Sequence, residues 1–271
     1  MEINYLIQRE GLRRGLSPRT TTTYCKCVEQ FFKQCHKGPK EVTKKDIREY
    51  IDKLVDKKRA GNTINVYLNS LKFFFEEVLK RNMQLKIKYS KVPKTLPIVL
   101  TQEETKKLFE AIKNEKHKLM VELMYSAGLR VSELVNLKVK DLELDNNYGW
   151  VRNGKGGKDR MFVIAEKIKN RLIEYIKNLN YEEHLFSGHR TPISRRTLQV
   201  IIKDAAKKAR INKKVHPHTL RHSFATHLIE NGCDISSVQS LLGHNSIQTT
   251  MTYLHTASNK MIKVKSPFDI L

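Results

Sequence analysis

HPHTLRHSFATHLIENGCDISSVQSLLGHNSIQTTMTY, residues 216–253, is the stretch that decides the fold. It sets basic groups and one phenol at helical spacings. His218 and Arg221 lie three residues apart, so on a helix they share a face and reach one point in space. Gly232 ends that helix, Asp234 caps the next, and Gly243 ends it in turn, just before His244. Asn245 or Ser246 then caps a third helix, which carries Tyr253 two turns on. The acids inside the stretch, Glu230 and Asp234, fall at helix ends and do not converge as metal ligands. The pattern instead builds a cationic cradle beside a nucleophile, which suits a phosphodiester.

Outside this stretch, composition narrows the class. The chain has 271 residues, enough for two compact domains each with its own core. A formal charge of +23 calls for a polyanionic partner, because such a charge repels itself otherwise. The basic excess is spread through both parts of the chain, which favours a protein that encircles nucleic acid. Cys25, Cys27, Cys35 and Cys233, with no signal peptide, indicate a reducing, cytoplasmic setting. Cys25, Cys27, Cys35 and His36 lack the paired spacing of a zinc site, so no metal is expected. No apolar run approaches the ~20 residues of a membrane span, and no nucleotide-binding loop or internal repeat is present.

The first ~85 residues read as helices. A short one over 2–10 is expected to end at Gly11. Ser17-Pro18 starts a second, in which Tyr24, Val28, Phe31 and Phe32 recur through about Cys35. Thr43 with Asp46 opens a third, striped by Ile47, Ile51, Leu54 and Val55. Asn62 is expected to cap a fourth, with Ile64, Tyr67, Leu68, Leu71, Phe74, Phe75 and Val78 facing inward. Together they form a bundle over 1–85. Residues 86–98, with Pro93 and Pro97, read as a basic linker. Thr101 and Glu104 form a capping box that opens a second domain over 99–271. Helices are expected near 116–127, 166–178 and 195–210, with a short one after Arg130. Val139–Leu144, Tyr148–Arg152 and Arg160–Ile164 read as three strands joined at Asn146-Asn147 and Gly154–Gly157. The fold class is therefore mainly α with a small antiparallel β-sheet. Phe268, Ile270 and Leu271 close a tail over 258–271, expected to pack on its own domain or on a neighbour.

Five patterns in order, SAGLRVSEL, GKGGKDR, HPHTLRHSFATH, LLGH and TMTY, resemble the tyrosine recombinase family, with the Xer-type resolvases most similar. The resemblance spans the whole chain and is strongest from Thr101 to Tyr253. It implies a SAM-like core-binding domain followed by an α/β catalytic domain, arranged as a C-clamp on double-stranded DNA. It also implies a homo-tetramer on two DNA sites, exchange through a Holliday junction, and a cytoplasmic, nucleoid-associated location. No cofactor, ATP or metal is implied.

Residue by residue, the resemblance puts Arg130, His218, Arg221 and His244 around the scissile phosphate. It puts Lys155 in the strand-to-strand turn as proton donor, and makes Tyr253 the nucleophile. Physical chemistry agrees: guanidinium forks neutralise charge growing on phosphate oxygens, and a phenol of pKa about 10 needs a base and cations beside it. His218 is the candidate for that proton. Spacing alone does not separate Lys155 from Lys158; the family pattern favours Lys155. Glu133, three residues after Arg130, supports that arginine. His222, about 100° round the helix from Arg221, supports or packs, and His216 and His227 are structural. Arg13, Arg14, Arg19, Lys44, Lys45, Arg195 and Arg196 are candidate DNA contacts. Alternatives of other kinds are a type IB topoisomerase and a non-catalytic DNA-binding protein. An element-borne integrase shares every residue named.

Overall fold

The computed structural model describes residues 3–93, 95–152, 154, 157, 159–188, 192–244 and 246–254. The chain divides into two compact units, Met1–Lys94 and Thr95–Leu271.

In the first unit, helices α1 (Ile3–Arg13), α2 (Pro18–Cys35), α3 (Lys44–Asp56) and α4 (Gly61–Lys72) form the bundle, and α4 runs on into a π-helical turn, Phe73–Val78. The starts of α2 and α3 follow from sequence. Ser17 accepts from the Thr20 N–H with Pro18 in the first turn, and Thr43 and Asp46 form a reciprocal capping box. Gly11 does not end α1, contrary to expectation. A Cβ there would stand 2.2 Å from the Thr21 methyl, so this glycine serves close approach of α1 and α2. The helix ends later, where Gly15 takes φ +63° and Leu16 N–H donates to the Gly11 carbonyl at 2.9 Å.

Asn62 is likewise not the cap of α4. Ala60 holds that position with no side-chain hydrogen bond, and Gly61 is where the chain at Ser90 to Val92 crosses the helix start. Asn65 fastens that crossing: its amide donates to the Ser90 carbonyl at 3.0 Å and its oxygen accepts from the Ser90 N–H at 2.8 Å. The wider π turn brings Phe73, Phe74 and Phe75 into the core together. There Phe31 meets Tyr50 and Phe75 edge to face, at 5.1 and 6.0 Å between centroids. Cys25 and Cys27 are buried thiols on α2.

The second unit opens with α5 (Gln102–Glu110), capped by Thr101 and Glu104, then α6 (Glu115–Ser126) and α7 (Val131–Asn136). Strands β1 (Leu142–Glu143), β2 (Tyr148–Val151) and β3 (Arg160–Val163) form an antiparallel sheet in that order, with Gly149 opposite Phe162 and Val151 opposite Arg160. The first strand is shorter than expected. Asp141 accepts from the Lys138 N–H at 2.9 Å and winds Val139–Asp141 into a 3-10 turn.

Helices α8 (Glu166–Ile176), α9 (Arg195–Lys208), α10 (Pro217–Glu230), α11 (Ile235–Leu242) and α12 (Ile247–Leu254) complete the unit. Its main core joins α5–α9 to the sheet through Met120, Leu123, Leu134, Phe162, Leu172 and Ile202. A smaller cluster of Phe224, Ala225, Val238, Leu242 and Tyr253 binds α10, α11 and α12 together. Helix α10 is buried on ten of its 14 residues, and half of those ten are polar or charged. Such a helix is not a surface stripe packed on a core; it is the core, and it carries the polar groups inside.

Candidate active site

Two glycines in the left-handed region set the stage. Gly128, at φ +58°, follows α6; a Cβ there would stand 2.4 Å from the Phe224 ring of α10. Gly243, at φ +60°, caps α11, and a Cβ there would stand 2.6 Å from Cδ of Arg160. The first helix end thus meets α10 and the second meets β3. Arg221, 3% exposed, uses them: Nη1 donates to the Gly128 carbonyl at 2.6 Å and Nη2 to the Leu242 carbonyl. A guanidinium at two helix C-termini also meets the negative ends of their dipoles.

Glu133 is the hub. Its carboxylate accepts from the Arg130 N–H at 2.8 Å and from Arg130 Nη1 at 2.6 Å. Arg160 Nη2 pairs with it at 2.6 Å, and Arg221 Nη1 stands 3.8 Å away. Three guanidiniums round one carboxylate leave two positive charges uncompensated. Burial by itself raises the Glu133 carboxyl, but Arg160 and Arg130 outweigh it and hold it below the ordinary range. Burial first, then Arg130, draws Arg221 down to about 9, which still leaves it cationic at neutral pH. A cavity of about 440 Å³ opens on this cluster, lined by Arg130, Arg160, Gln239, Gly243 and His244. Among the described residues, no three His, Cys, Asp or Glu gather in a set that could hold a metal ion.

The phenol arrives on α12. Tyr253 is 3% exposed, its ring stacked on His244 at 6.2 Å between centroids and 5.6 Å from His222. Its hydroxyl pairs with His222 Nδ1 at 3.0 Å. Burial raises the phenol's pKa, with Arg221 and Arg130 pulling the other way, so it rests protonated. His244 Nδ1 pairs with the Thr250 hydroxyl at 3.0 Å, which leaves Nε2 to serve a ligand. Burial first, then Arg221 and Arg130, lowers His244 to about 4. Burial, then His218 and His216, lowers His222 to about 4.

The structure therefore brings together Arg130, Glu133, Arg221, His244 and Tyr253, with His222 in contact with the phenol. Sequence alone favours His218 as the phenol's partner, but the hydrogen bond goes to His222. His218 stands beside it, ring centroids 6.3 Å apart, and is lowered by partial burial and by His216. Lys155, Lys158, Asn245 and the tail residues Phe268, Ile270 and Leu271 lie outside the described residues.

Arg160 carries no role in the sequence reading, although it closes the GKGGKDR motif. Besides Glu133 it donates to the Leu241 carbonyl at 2.6 Å, so it ties β3 to α7 and to the end of α11. His216 caps α10 through Nδ1, which accepts from the Thr219 N–H at 3.2 Å. His227 joins the Tyr125 hydroxyl at 2.7 Å to the Leu100 carbonyl at 2.9 Å, a structural use, as expected.

Of the basic candidates, Arg19, Lys44, Lys45, Arg195 and Arg196 are exposed in the first turns of α2, α3 and α9. Arg13 and Arg14 close α1 and pair with Glu10, and Arg14 also pairs with Glu77.

The family described as "Phage integrase family" matches residues 99–260, and "Phage integrase, N-terminal SAM-like domain" matches residues 7–85. Tyrosine recombinase XerA of Pyrococcus furiosus is 37% identical over 255 residues, covering 91% of this chain and 87% of that protein. Tyrosine recombinase XerD of Oceanobacillus iheyensis is 34% identical over 274 residues, covering 92% of each. Among solved structures, the XerA recombinase crystal structure is 32% identical with a TM-score of 0.57, covering 97% of this chain and 98% of that one. The XerH recombinase on palindromic difH substrate, in its post-cleavage complex, shares the fold at a TM-score of 0.75 and 23% identity. That match covers 99% of this chain and 85% of the other. The chain belongs to the phage integrase family, as a tyrosine recombinase of the Xer type.

Proposed function

We propose that this protein cuts and rejoins double-stranded DNA at specific sites through a covalent 3′-phosphotyrosine on Tyr253. The observation that supports it most is the buried Tyr253 phenol set beside an arginine cluster with two positive charges to spare. In this scheme Arg130 and Arg221 bind the non-bridging oxygens of the scissile phosphate, with His218 and His244 beside them. Tyr253 Oη bonds to phosphorus, the P–O5′ bond breaks, and O5′ takes a proton from Lys155 in the β2–β3 turn. The phosphotyrosine keeps the ester's energy, so a second 5′-hydroxyl attacks it to rejoin the strand. The arginines act where charge develops in the pentacoordinate transition state.

The exposed basic first turns of α2, α3 and α9 support phosphate contacts outside the site. Basic side chains at helix N-termini oppose the helix dipole, each by about 0.3–1 kcal/mol, and a bound phosphate reverses the sign. Arg19, Lys44, Lys45, Arg195 and Arg196 then track the backbone, with Arg13 and Arg14 as further contacts. Exchange runs on two DNA sites through a Holliday junction with four protomers, as an Xer resolvase or an element-borne integrase.

The test is a nicked suicide duplex carrying the site that the protein itself enriches from a randomised DNA pool. Wild type should give an adduct stable to SDS, in EDTA as in its absence, and Tyr253→Phe none. An adduct formed by Tyr253→Phe would overturn the scheme. Lys155→Ala should slow cleavage, and a 5′-bridging phosphorothiolate, whose sulfur leaves without a proton, should restore it.

A further inference from the structure

We infer that His222, through Nδ1, is the group that takes the proton from Tyr253 when the phenol attacks phosphorus. The inference rests on the recombinase reading above and assigns one step of it. Placement carries the argument. The Tyr253 hydroxyl has its hydrogen bond to His222 Nδ1 at 3.0 Å, within the range a general base needs before reaction. The two side chains come from helices that cannot slide apart easily. Helix α10 is buried over most of its length, and α12 packs on it through Tyr253 and Thr250, both inside.

The proton's direction follows from the surroundings. Burial first, then His218, the cap residue His216 and Arg221, disfavour a charge on His222 at rest, and His244 before α12 interacts with it too. A neutral imidazole next to a protonated phenol admits two tautomers, and the one assigned here to His222 is that in which Oη–H donates to a bare Nδ1 and the ring's hydrogen sits on Nε2. The acceptor lone pair therefore already points at the proton that must leave. A bound phosphodiester adds a negative charge to the arginine cluster and so makes an imidazolium beside it less costly. In the step, the O–H electron pair of Tyr253 forms the new O–P bond and the proton passes to His222 Nδ1. The P–O5′ pair leaves with O5′, which is protonated by the general acid. On rejoining, the imidazolium returns its proton to Tyr253 as the phenol departs. No oxidant, metal or further reactant enters.

His218 is the competing acceptor, and its place differs. It is exposed on the first turn of α10, one helical turn before His222, and its ring lies against His216 and His222. The hydrogen bond of the resting phenol goes to His222 instead.

Asparagine separates the two roles a histidine can have here. Its side-chain oxygen takes the place of Nδ1, and it accepts a hydrogen bond but does not take up a proton. Single-turnover cleavage of the nicked duplex is measured for wild type, His222→Asn, His222→Leu and His218→Asn, with thermal unfolding of each variant. His222→Asn should keep its melting temperature near wild type and yet cleave about 100-fold slower or more, as loss of a general base does. His222→Leu should be at least as slow.

Cleavage by His222→Asn within threefold of wild type would show that orientation suffices, and would overturn the inference. So would faster cleavage by His222→Leu, which would mean that the hydrogen bond only parks the phenol. A second measurement needs no variant to fold: in 15N-histidine-labelled wild type, His222 Nδ1 should resonate as an unprotonated nitrogen at neutral pH. A protonated Nδ1 would make His222 the donor and refute the proposal. Failure of the wider reading looks different, because then the wild type forms no Tyr253-dependent adduct and both fall together.

Discussion

The two units bury opposite kinds of material. The first packs aromatic rings and aliphatic chains, with Thr21 and Ser70 its buried polar residues. The second buries Glu133, Asp141, Arg221, Ser223, Thr226 and His227 along with its apolar core. Charge inside a protein costs several kcal/mol per ion before pairing, and hydrocarbon of the same volume would pack at least as well. The second unit therefore gives up stability to hold a preorganised cationic site. The first has no such demand on it.

The largest effects should come from breaking each unit at its own kind of contact. Glu133→Leu leaves three guanidiniums facing one another without their carboxylate and should cost about 3–5 kcal/mol. Phe75→Ala empties the centre of the aromatic cluster and should cost about 3–5 kcal/mol by cavity formation. Trp150, the chain's single tryptophan, lies in β2 and reports on the second unit alone. Its fluorescence transition should move with Glu133→Leu and stay in place with Phe75→Ala, while helical circular dichroism senses both. A Trp150 transition that moves equally with both would mean that the units do not unfold separately.

Two serines with 0% exposure give a finer comparison. Ser223 on α10 accepts from the Leu100 N–H at 2.9 Å, and its own proton goes to Thr219. Ser223→Ala leaves that buried N–H without an acceptor and should cost about 1–3 kcal/mol. Ser70 on α4 returns its proton to the Val66 carbonyl of its own helix, at 2.7 Å, and beyond that meets the Cys27 thiol, a weak donor. That carbonyl keeps its helical partner, so Ser70→Ala should cost well under ~1 kcal/mol. Equal losses in urea titrations of the two variants would remove the distinction.

How much of this was legible in the sequence depends on whether the cause was local. Ser17, Thr43 and Thr101 announce helix starts because a cap is satisfied within three residues. Gly243 announces the end of α11 for the same reason. Gly11 and Asn62 mislead, since what decides there is a contact from elsewhere: Thr21 on α2, and the chain at Ser90 to Val92. The site follows the same rule. Arg130, Glu133 and Arg221 were visible by type and spacing. Arg160 closes the GKGGKDR motif, yet its bonds run from β3 to α7 and to the end of α11 and have no local sign. The choice between His218 and His222 turns on where α12 lies against α10. Helical spacing does not encode that.

Acid should separate the units without mutation. His222 and His244 sit at about 4 in the folded protein against 6.5 for the free side chain. For such depressed bases the unfolded chain binds more protons between those values, so stability is complete above 6.5 and falls as pH drops toward 4. In the first unit Asp46, lowered to about 2 by Lys37 and by the Thr43 cap, contributes above 3.8 and is lost only as pH falls toward 2. Between pH 6.5 and 4 the Trp150 transition should therefore shift to lower temperature ahead of the first unit's. Coincident shifts over that window would mean that the histidines are not what fails.

The smallest effect should be the one on which the units agree. Thr43 and Thr101 make the same reciprocal box, each side chain accepting from the third residue's N–H (3.3 and 3.1 Å) and each backbone N–H bound by that residue's carboxylate (2.7 and 2.8 Å). Both are exposed, so neither feels the interior that otherwise distinguishes the units. Replacing either by alanine removes one acceptor from a helix start and should cost about 1 kcal/mol, the same in each. Glu104 has an extra partner in Lys213 at 2.6 Å, but that bond belongs to the carboxylate and survives Thr101→Ala. If Thr101→Ala proves markedly more costly than Thr43→Ala in matched urea titrations, the cap at α5 is tied to the buried network through its neighbour Leu100. The boundary between polar interior and ordinary surface would then lie one residue further out.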